Sequence, residues 1–176
     1  MKKFDAGRKL AVRVLRRHRL VELFLVKIMG INWTEVHEEA EALEHVVSER
    51  LVARMDEMLG FPAVDPHGDP IPSAEGVVPK AEYQDLLSCE LGALCRVARV
   101  RDQSSAFLRL VERQGLMPGC RMTVEERDAA AETVELRLLP GGERVNLGFG
   151  AASKIFVEAV PAGLRQEESA EPAIRH

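Results

Sequence analysis

The chain has 176 residues, of which 46% are apolar and 30% charged, with a formal net charge of −4. That length fits one ordinary domain or two small ones, and the acidic balance argues against a protein that holds nucleic acid by its overall charge. Cys89, Cys95 and Cys120 are odd in number and lack metal-ligand spacing, and no leader or bilayer-length apolar run precedes them. The expectation is a reducing cytoplasmic setting, no membrane and no role for the thiols.

Residues 5–28 carry a helical period, with Leu10, Ala11, Val14, Val21, Leu25 and Ile28 as the apolar side. His18 and Glu22 lie inside that pattern, about 40° apart at roughly 100° per residue. A carboxylate there must be paired, protonated or metal-bound, because an uncompensated buried charge costs several kcal/mol. The pair is either a two-donor set for a first-row divalent metal or a hydrogen bond that stabilises the core. Residues 2–27 also hold nine Lys or Arg against Asp5 and Glu22, while residues 35–49 hold six glutamates. The basic face either touches DNA phosphates or complements the acidic second helix, and the second option is preferred.

The next helix reads VHEEAEALEH, residues 36–45, with Thr34 as its expected N-cap and Gly30 closing the helix before it. His37, Glu41, Glu44 and His45 stand at i, i+4, i+7 and i+8, within a sector roughly 100° wide. Glu41 and Glu44 are like charges one turn apart, which costs about 0.2–0.5 kcal/mol unless a cation sits between them. The four are metal ligands or the polar face of a charged amphipathic helix. An apolar stripe of Val36, Ala40, Leu43 and Val47 runs beside them.

Ser48 is placed to cap a third helix over residues 49–59, whose stripe of Leu51, Val52, Met55, Met58 and Leu59 is suited to a core or a subunit interface. Residues 60–80 hold five of the nine prolines and mark a domain boundary. Beyond it the period changes to two. Strands are expected over residues 94–100, 122–126, 134–138 and 145–149, with a turn at Pro140 to Glu143. A helix starting at Ser104 or Ser105 and ending at Gly115 lies between the first two. The LGFG stretch, residues 147–150, reads as a turn, because no strand-to-helix phosphate motif surrounds it.

The stretches RVLRRHRLVELFLVKIMG, NWTEVHEEAEALEHVVSERL and VDPHGDPIP resemble the metal-binding and dimerisation domain of the diphtheria toxin repressor family of iron- and manganese-dependent regulators. GLMPG and LGFGAASKIFV resemble the small SH3-like, FeoA-type barrel that ends many members. The resemblance implies an α + β chain. Its domains would be a helical metal-binding and dimerisation domain over 1–72, a linker over 73–84, a barrel over 85–160 and a disordered tail over 161–176.

It also implies one metal site from His18, Glu22 and His37 and a regulatory site from Glu41, Glu44 and His45. Asp65, His67 and Asp102 would be further ligands in the manner of some manganese-type members. The third helix, through Leu51, Met55 and Met58, would pair two chains. Where iron-type members have a cysteine this chain has Glu41, and a hard oxygen donor favours Mn(II), with Fe(II) second. Members begin with a winged helix-turn-helix, whereas this sequence starts at the stretch that follows it in them. DNA operator binding would therefore need a winged-helix domain missing here.

The expected function is the metal-sensing and dimerising part of a Mn(II)- or Fe(II)-dependent transcriptional repressor. The alternative is a metal-free dimeric interaction module with structural histidines. An enzyme is not expected, since no activated nucleophile pair or HExxH arrangement occurs.

Overall fold

The computed structural model describes residues 2–80 and 82–160, with side chains from residue 7 onward. Three helices come first: α1 (Lys2–Lys27), α2 (Val36–Glu44) and α3 (Glu49–Met58). After the proline-rich segment come β1 (Gln84–Asp85), β2 (Leu94–Val100), α4 (Ser105–Arg113), β3 (Arg121–Asp128), β4 (Thr133–Leu139), β5 (Arg144–Gly148), α5 (Phe149–Ala152) and β6 (Ile155–Ala159). The expected fold class, helices followed by a small β domain, is the observed one. The expected tail, 161–176, lies outside the described residues.

The C-terminal half of α1 is the axis of the helical part. Leu20 and Leu23 pack with Val52 of α3 and Ile71, while Val21 and Leu25 pack with Val36 and Ala40 of α2. At about 1.5–3 kcal/mol for each large apolar side chain buried, these contacts exceed the several kcal/mol that a buried carboxylate costs on the same turns. The predicted apolar side of α1 needs correction at Ile28, which lies exposed just past the helix end, and in its first half, where Leu10 and Val14 are exposed. The reason is that α2, α3 and the 60–72 loop surround only the second half of the helix.

Basic residues of α1 meet the acidic groups packed around it. Arg16 pairs with Asp56 at 2.5 Å, Arg17 with Glu49, and Arg19 with Asp69 at 3.3 Å. The expected complement was the acidic second helix; instead these partners lie on α3 and in the proline-rich loop, and none of the three is on α2. Ser48 caps α3 by accepting from the Leu51 N–H, as its position predicts. Thr34 does not cap α2. Glu35 occupies that position, and Thr34 is buried.

The β domain is a six-stranded antiparallel sheet in the order β1-β6-β2-β3-β4-β5. Alternate residues of β4 and β5 point into a core that also takes Phe107, Leu108 and Val111 of α4. Strand β6, between β1 and β2, was not anticipated: Ile155 and Val157 alternate inward, but five residues behind a glycine-rich stretch give a weak period. LGFG is not one turn. Its first half ends β5, and Gly148 is the N-cap of α5.

The proline-rich loop joins the two parts through backbone contacts. The Val100 N–H of β2 donates to the His67 carbonyl at 2.9 Å. Gly68, at φ +87°, lies so close to β2 that a Cβ there would stand 1.9 Å from the Ala98 carbonyl oxygen. Gly68→Ala should therefore cost roughly 3 kcal/mol or more, combining left-handed strain with overpacking. Gly60→Ala, also at positive φ but in open space, should cost about 1–2 kcal/mol. Equal losses in thermal or denaturant unfolding would refute the close approach.

Candidate metal centre

One turn of α1 places His18 and Glu22 on the same side, and α2 lays His37 against them. The His18 Nε2 and His37 Nδ1 atoms each lie 3.0 Å from Glu22 Oε1, and 3.2 Å from one another. Donors about 2.1 Å from a single octahedral ion stand about 3.0 Å apart when adjacent, so these three edges match a first-row divalent ion without rearrangement. Glu22 is buried, whereas His37 is half-exposed, which leaves the set open to solvent on one side.

A further carboxylate orients the first imidazole. His18 Nδ1–H donates to Glu44 Oε2 at 2.8 Å, turning the Nε2 lone pair toward Glu22 and His37. Such a carboxylate–imidazole pair fixes ring orientation and raises donor basicity. Burial alone would lower the His18 pKa, but hydrogen bonds and charge from Glu22 and Glu44 raise it overall. For Glu22 burial acts upward, and the bond and charge of His18 and the His37 bond bring it below the usual carboxylate value.

A second group gathers on the other side of the same carboxylate. Ligand atoms of Glu22, Asp65 and His67, all three residues buried, lie within 4.8 Å of one another. His67 Nε2 faces the Trp33 carbonyl at 3.0 Å, an acceptor only, so Nε2 carries the proton and Nδ1 holds a lone pair. That Nδ1 is buried and has no hydrogen-bond partner. Its lone pair lies 4.0 Å from Glu22 Oε2. A cation between them would satisfy both, and this fits a ligand better than a core histidine.

Asp65 Oδ1 accepts from the backbone N–H groups of His67 and Asp69, at 2.8 and 2.9 Å, which leaves Oδ2 with Arg19 Nε at 3.6 Å. Burial, followed by the charges of Asp69 and Glu22, pushes its carboxyl up to about 7. Asp69 is the residue the sequence reading missed. It takes Arg19, Arg99 at 2.7 Å and Gln103 at 2.6 Å, tying the loop to both domains. Trp33 was missed as well, and its indole N–H donates to Glu112 of α4 at 3.0 Å. The mirrored aspartates of DPHGDP were a signal for Asp69, but nothing marked Trp33.

The remaining predicted ligands are placed differently. Glu41 and His45 are exposed; Glu41 Oε1 stands 3.5 Å from His37 Nε2, and His45 Nε2 stands 3.5 Å from Glu44 Oε1. Glu41, Glu44 and His45 are not drawn together as a three-donor group among the described residues. Val46 N–H and the His45 cap mark the end of α2 here, so the period that put His45 on the ligand face runs out one residue early. Asp102 is not with Asp65 and His67. It accepts from Lys154 at 2.8 Å and from Ser104, which hold its carboxyl down to about 2. Of the predicted interface residues, Leu51 and Met58 are exposed and Met55 is half-buried against the α1–α2 cluster.

Residues 5–73 match the family model described as "Iron dependent repressor, metal binding and dimerisation domain", and residues 85–159 match the FeoA domain. The chain is 36% identical over 168 residues to the iron-dependent repressor IdeR of Mycobacterium tuberculosis, covering 89% of this chain and 72% of that protein. A shorter match, 41% over 69 residues, is to the diphtheria toxin repressor of Corynebacterium diphtheriae, covering 39% of this chain and 30% of that protein. Among solved structures, a manganese-dependent transcriptional repressor in complex with manganese is similar at 44% identity and a TM-score of 0.83, covering 89% of this chain and 74% of that one.

The shifted groups set the expected pH behaviour of the metal-free chain. Asp65 is raised from 3.8 to about 7, so the folded state holds its proton where the unfolded chain has lost it, and stability falls as pH rises through that window. His18, also raised, loses its contribution as pH rises past its folded value, while Glu22, lowered, loses its own only as pH falls below 4.5. In chelator, thermal stability should decline from pH 5 to pH 8. Asp65→Asn should flatten that decline; an unchanged slope would refute the buried, protonated Asp65.

Proposed function

This chain belongs to the iron-dependent repressor family, and on that premise we propose that it is the metal-sensing and dimerising part of a transcriptional repressor responsive to Mn(II), with Fe(II) second. The carrying observation is the triad of His18, Glu22 and His37, whose donor edges of 3.0, 3.0 and 3.2 Å match one divalent ion. Bound there, the ion supplies positive charge that joins α1 to α2, while Glu44 keeps the His18 ring turned inward. Glu41 completes the polar surround of His37 with a hard oxygen donor, which supports manganese over softer metals.

Pairing of two chains is assigned to α3. Leu51 and Met58 stand exposed on it, and Phe61 beyond its end is 71% exposed, a surface suited to a twofold contact. Operator binding is assigned to a winged-helix domain, which these two domains would position. No helix among the described residues is long and apolar enough to cross a membrane. The second reading, a metal-free interaction module, is favoured by one observation: Glu44 and Glu22 already give His18 and His37 hydrogen-bond partners.

Mn(II) titration of the purified chain separates the two. Metal bound to the folded state should raise unfolding free energy by about 2.7 kcal/mol at a hundredfold excess over Kd. His18→Ala and His37→Ala should abolish most of the gain, and Glu44→Ala should weaken affinity about 10- to 100-fold by freeing the His18 ring. Cys95→Ser should leave it unchanged. No shift in the wild-type chain would establish the metal-free module. For selectivity, Glu41→Cys should move the ranking from Mn(II) toward Fe(II) or Zn(II), read from competitive titrations; an unaltered ranking would refute the role of Glu41.

A further inference from the structure

Helix α2 starts without help from its own side chains. Its N-cap, Glu35, makes no side-chain capping bond, and nine residues are too few to hold a helix on propensity alone. Packing on two sides fixes its beginning instead. Val36 is buried in the cluster it shares with Val21 and Leu25 of α1. Trp33, three residues earlier, is buried in the other core, that of the barrel, together with Phe107, Leu108 and Val111 of α4. His37, the half-exposed member of the metal triad, comes directly after these two anchors.

Helix α4 also reaches this segment with its polar side chains. Glu112 Oε1 accepts from the Trp33 indole N–H at 3.0 Å, and Arg109, one turn earlier on α4, pairs with Glu35 at 2.5 Å. Glu35 and Arg109 are each 59% exposed, so solvent screens that pair and it contributes direction more than energy. The bond from Trp33 is stronger, because its acceptor is a carboxylate and the ring that donates is buried.

Resting on the metal-sensing reading above, we infer that Trp33 and Glu112 are positioning residues for the triad of His18, Glu22 and His37. Through them α4 of the barrel fixes where α2 begins, and so holds His37 at ligand distance from Glu22. The barrel thereby sets the affinity of a site whose three donors all lie outside it. Linkage makes the effect reciprocal: an ion that ties His37 to Glu22 steadies the start of α2, and with it the seat of α4.

Two measurements on the full chain test this: Mn(II) affinity, from the free-ion electron paramagnetic resonance signal, and amide hydrogen exchange of residues 105–113 with and without Mn(II). Trp33→Phe keeps a buried ring but loses the N–H, and Glu112→Ala alters only an exposed side chain, so that variant still folds. Each should raise the Mn(II) Kd about 3- to 10-fold, the double variant should be no worse than the weaker single one, and Glu112→Gln, which keeps an acceptor, should restore wild-type affinity to within about twofold. Arg137→Ala, which removes a pair with Glu125 elsewhere on the barrel, should leave Kd unchanged. Exchange in α4 should slow on Mn(II) addition in the wild-type chain and not in Glu112→Ala. Unchanged Kd in both Trp33→Phe and Glu112→Ala, an equal loss in Arg137→Ala, or α4 exchange indifferent to Mn(II) overturns the positioning role. If His18→Ala still abolishes binding in that case, the metal-sensing reading stands alone. Absence of Mn(II) binding by the wild-type chain overturns both.

Discussion

A carboxylate buried in the middle of a long helix is the constraint around which the rest of this molecule is organised. Glu22 is 1% exposed, on a stretch of α1 whose neighbours Leu20, Val21, Leu23 and Leu25 are core residues. Apolar burial holds the helix in place at that depth, and the charge must then be balanced locally. The balance comes from two imidazoles, His18 one turn earlier and His37 on α2, while His67 in the proline-rich loop faces the same carboxylate from the other side. Each segment is thereby tied to α1 through a group that also binds metals, so the packing and the chemistry of the site are one arrangement.

The loop that carries His67 translates this arrangement to the second domain. Its Asp65 and Asp69 form a closed turn, with the Asp65 side chain accepting two backbone N–H groups and Asp69 drawing in Arg19 of α1 and Arg99 of β2. Gly68 allows the backbone to meet β2 at a distance no side chain would permit. Trp33 reaches across to Glu112 of α4 while its carbonyl sets the His67 tautomer. The barrel is thus seated by groups that also surround Glu22.

How much of this was readable in the sequence depended on the period that encoded it. The i, i+4 relation of His18 and Glu22 survives folding because α1 is long and regular, and His37 followed from its place at the start of α2. His45 was drawn to the ligand face by extending the same period past Glu44, where α2 ends, while Glu41 stays on the helix, exposed and 3.5 Å from His37. Glu44, grouped with them in the sequence, instead crosses to His18, a contact between helices that no spacing within one helix encodes. Likewise Asp102 and Gln103 are adjacent in sequence, yet Lys154 takes the first and Asp69 takes the second. In the barrel, strands with clean alternation were legible, while β6 depends on neighbours far away in the chain, as in the pairing of Arg96 with Glu158, 62 residues apart.

The most direct test of this account is anomalous diffraction from crystals of the chain grown with Mn(II). The account requires an anomalous peak within bonding distance of His18 Nε2, Glu22 Oε1 and His37 Nδ1, with the His18 ring still bonded to Glu44. A peak confined to surface carboxylates, or these three side chains unchanged with no peak among them at saturating metal, would contradict it.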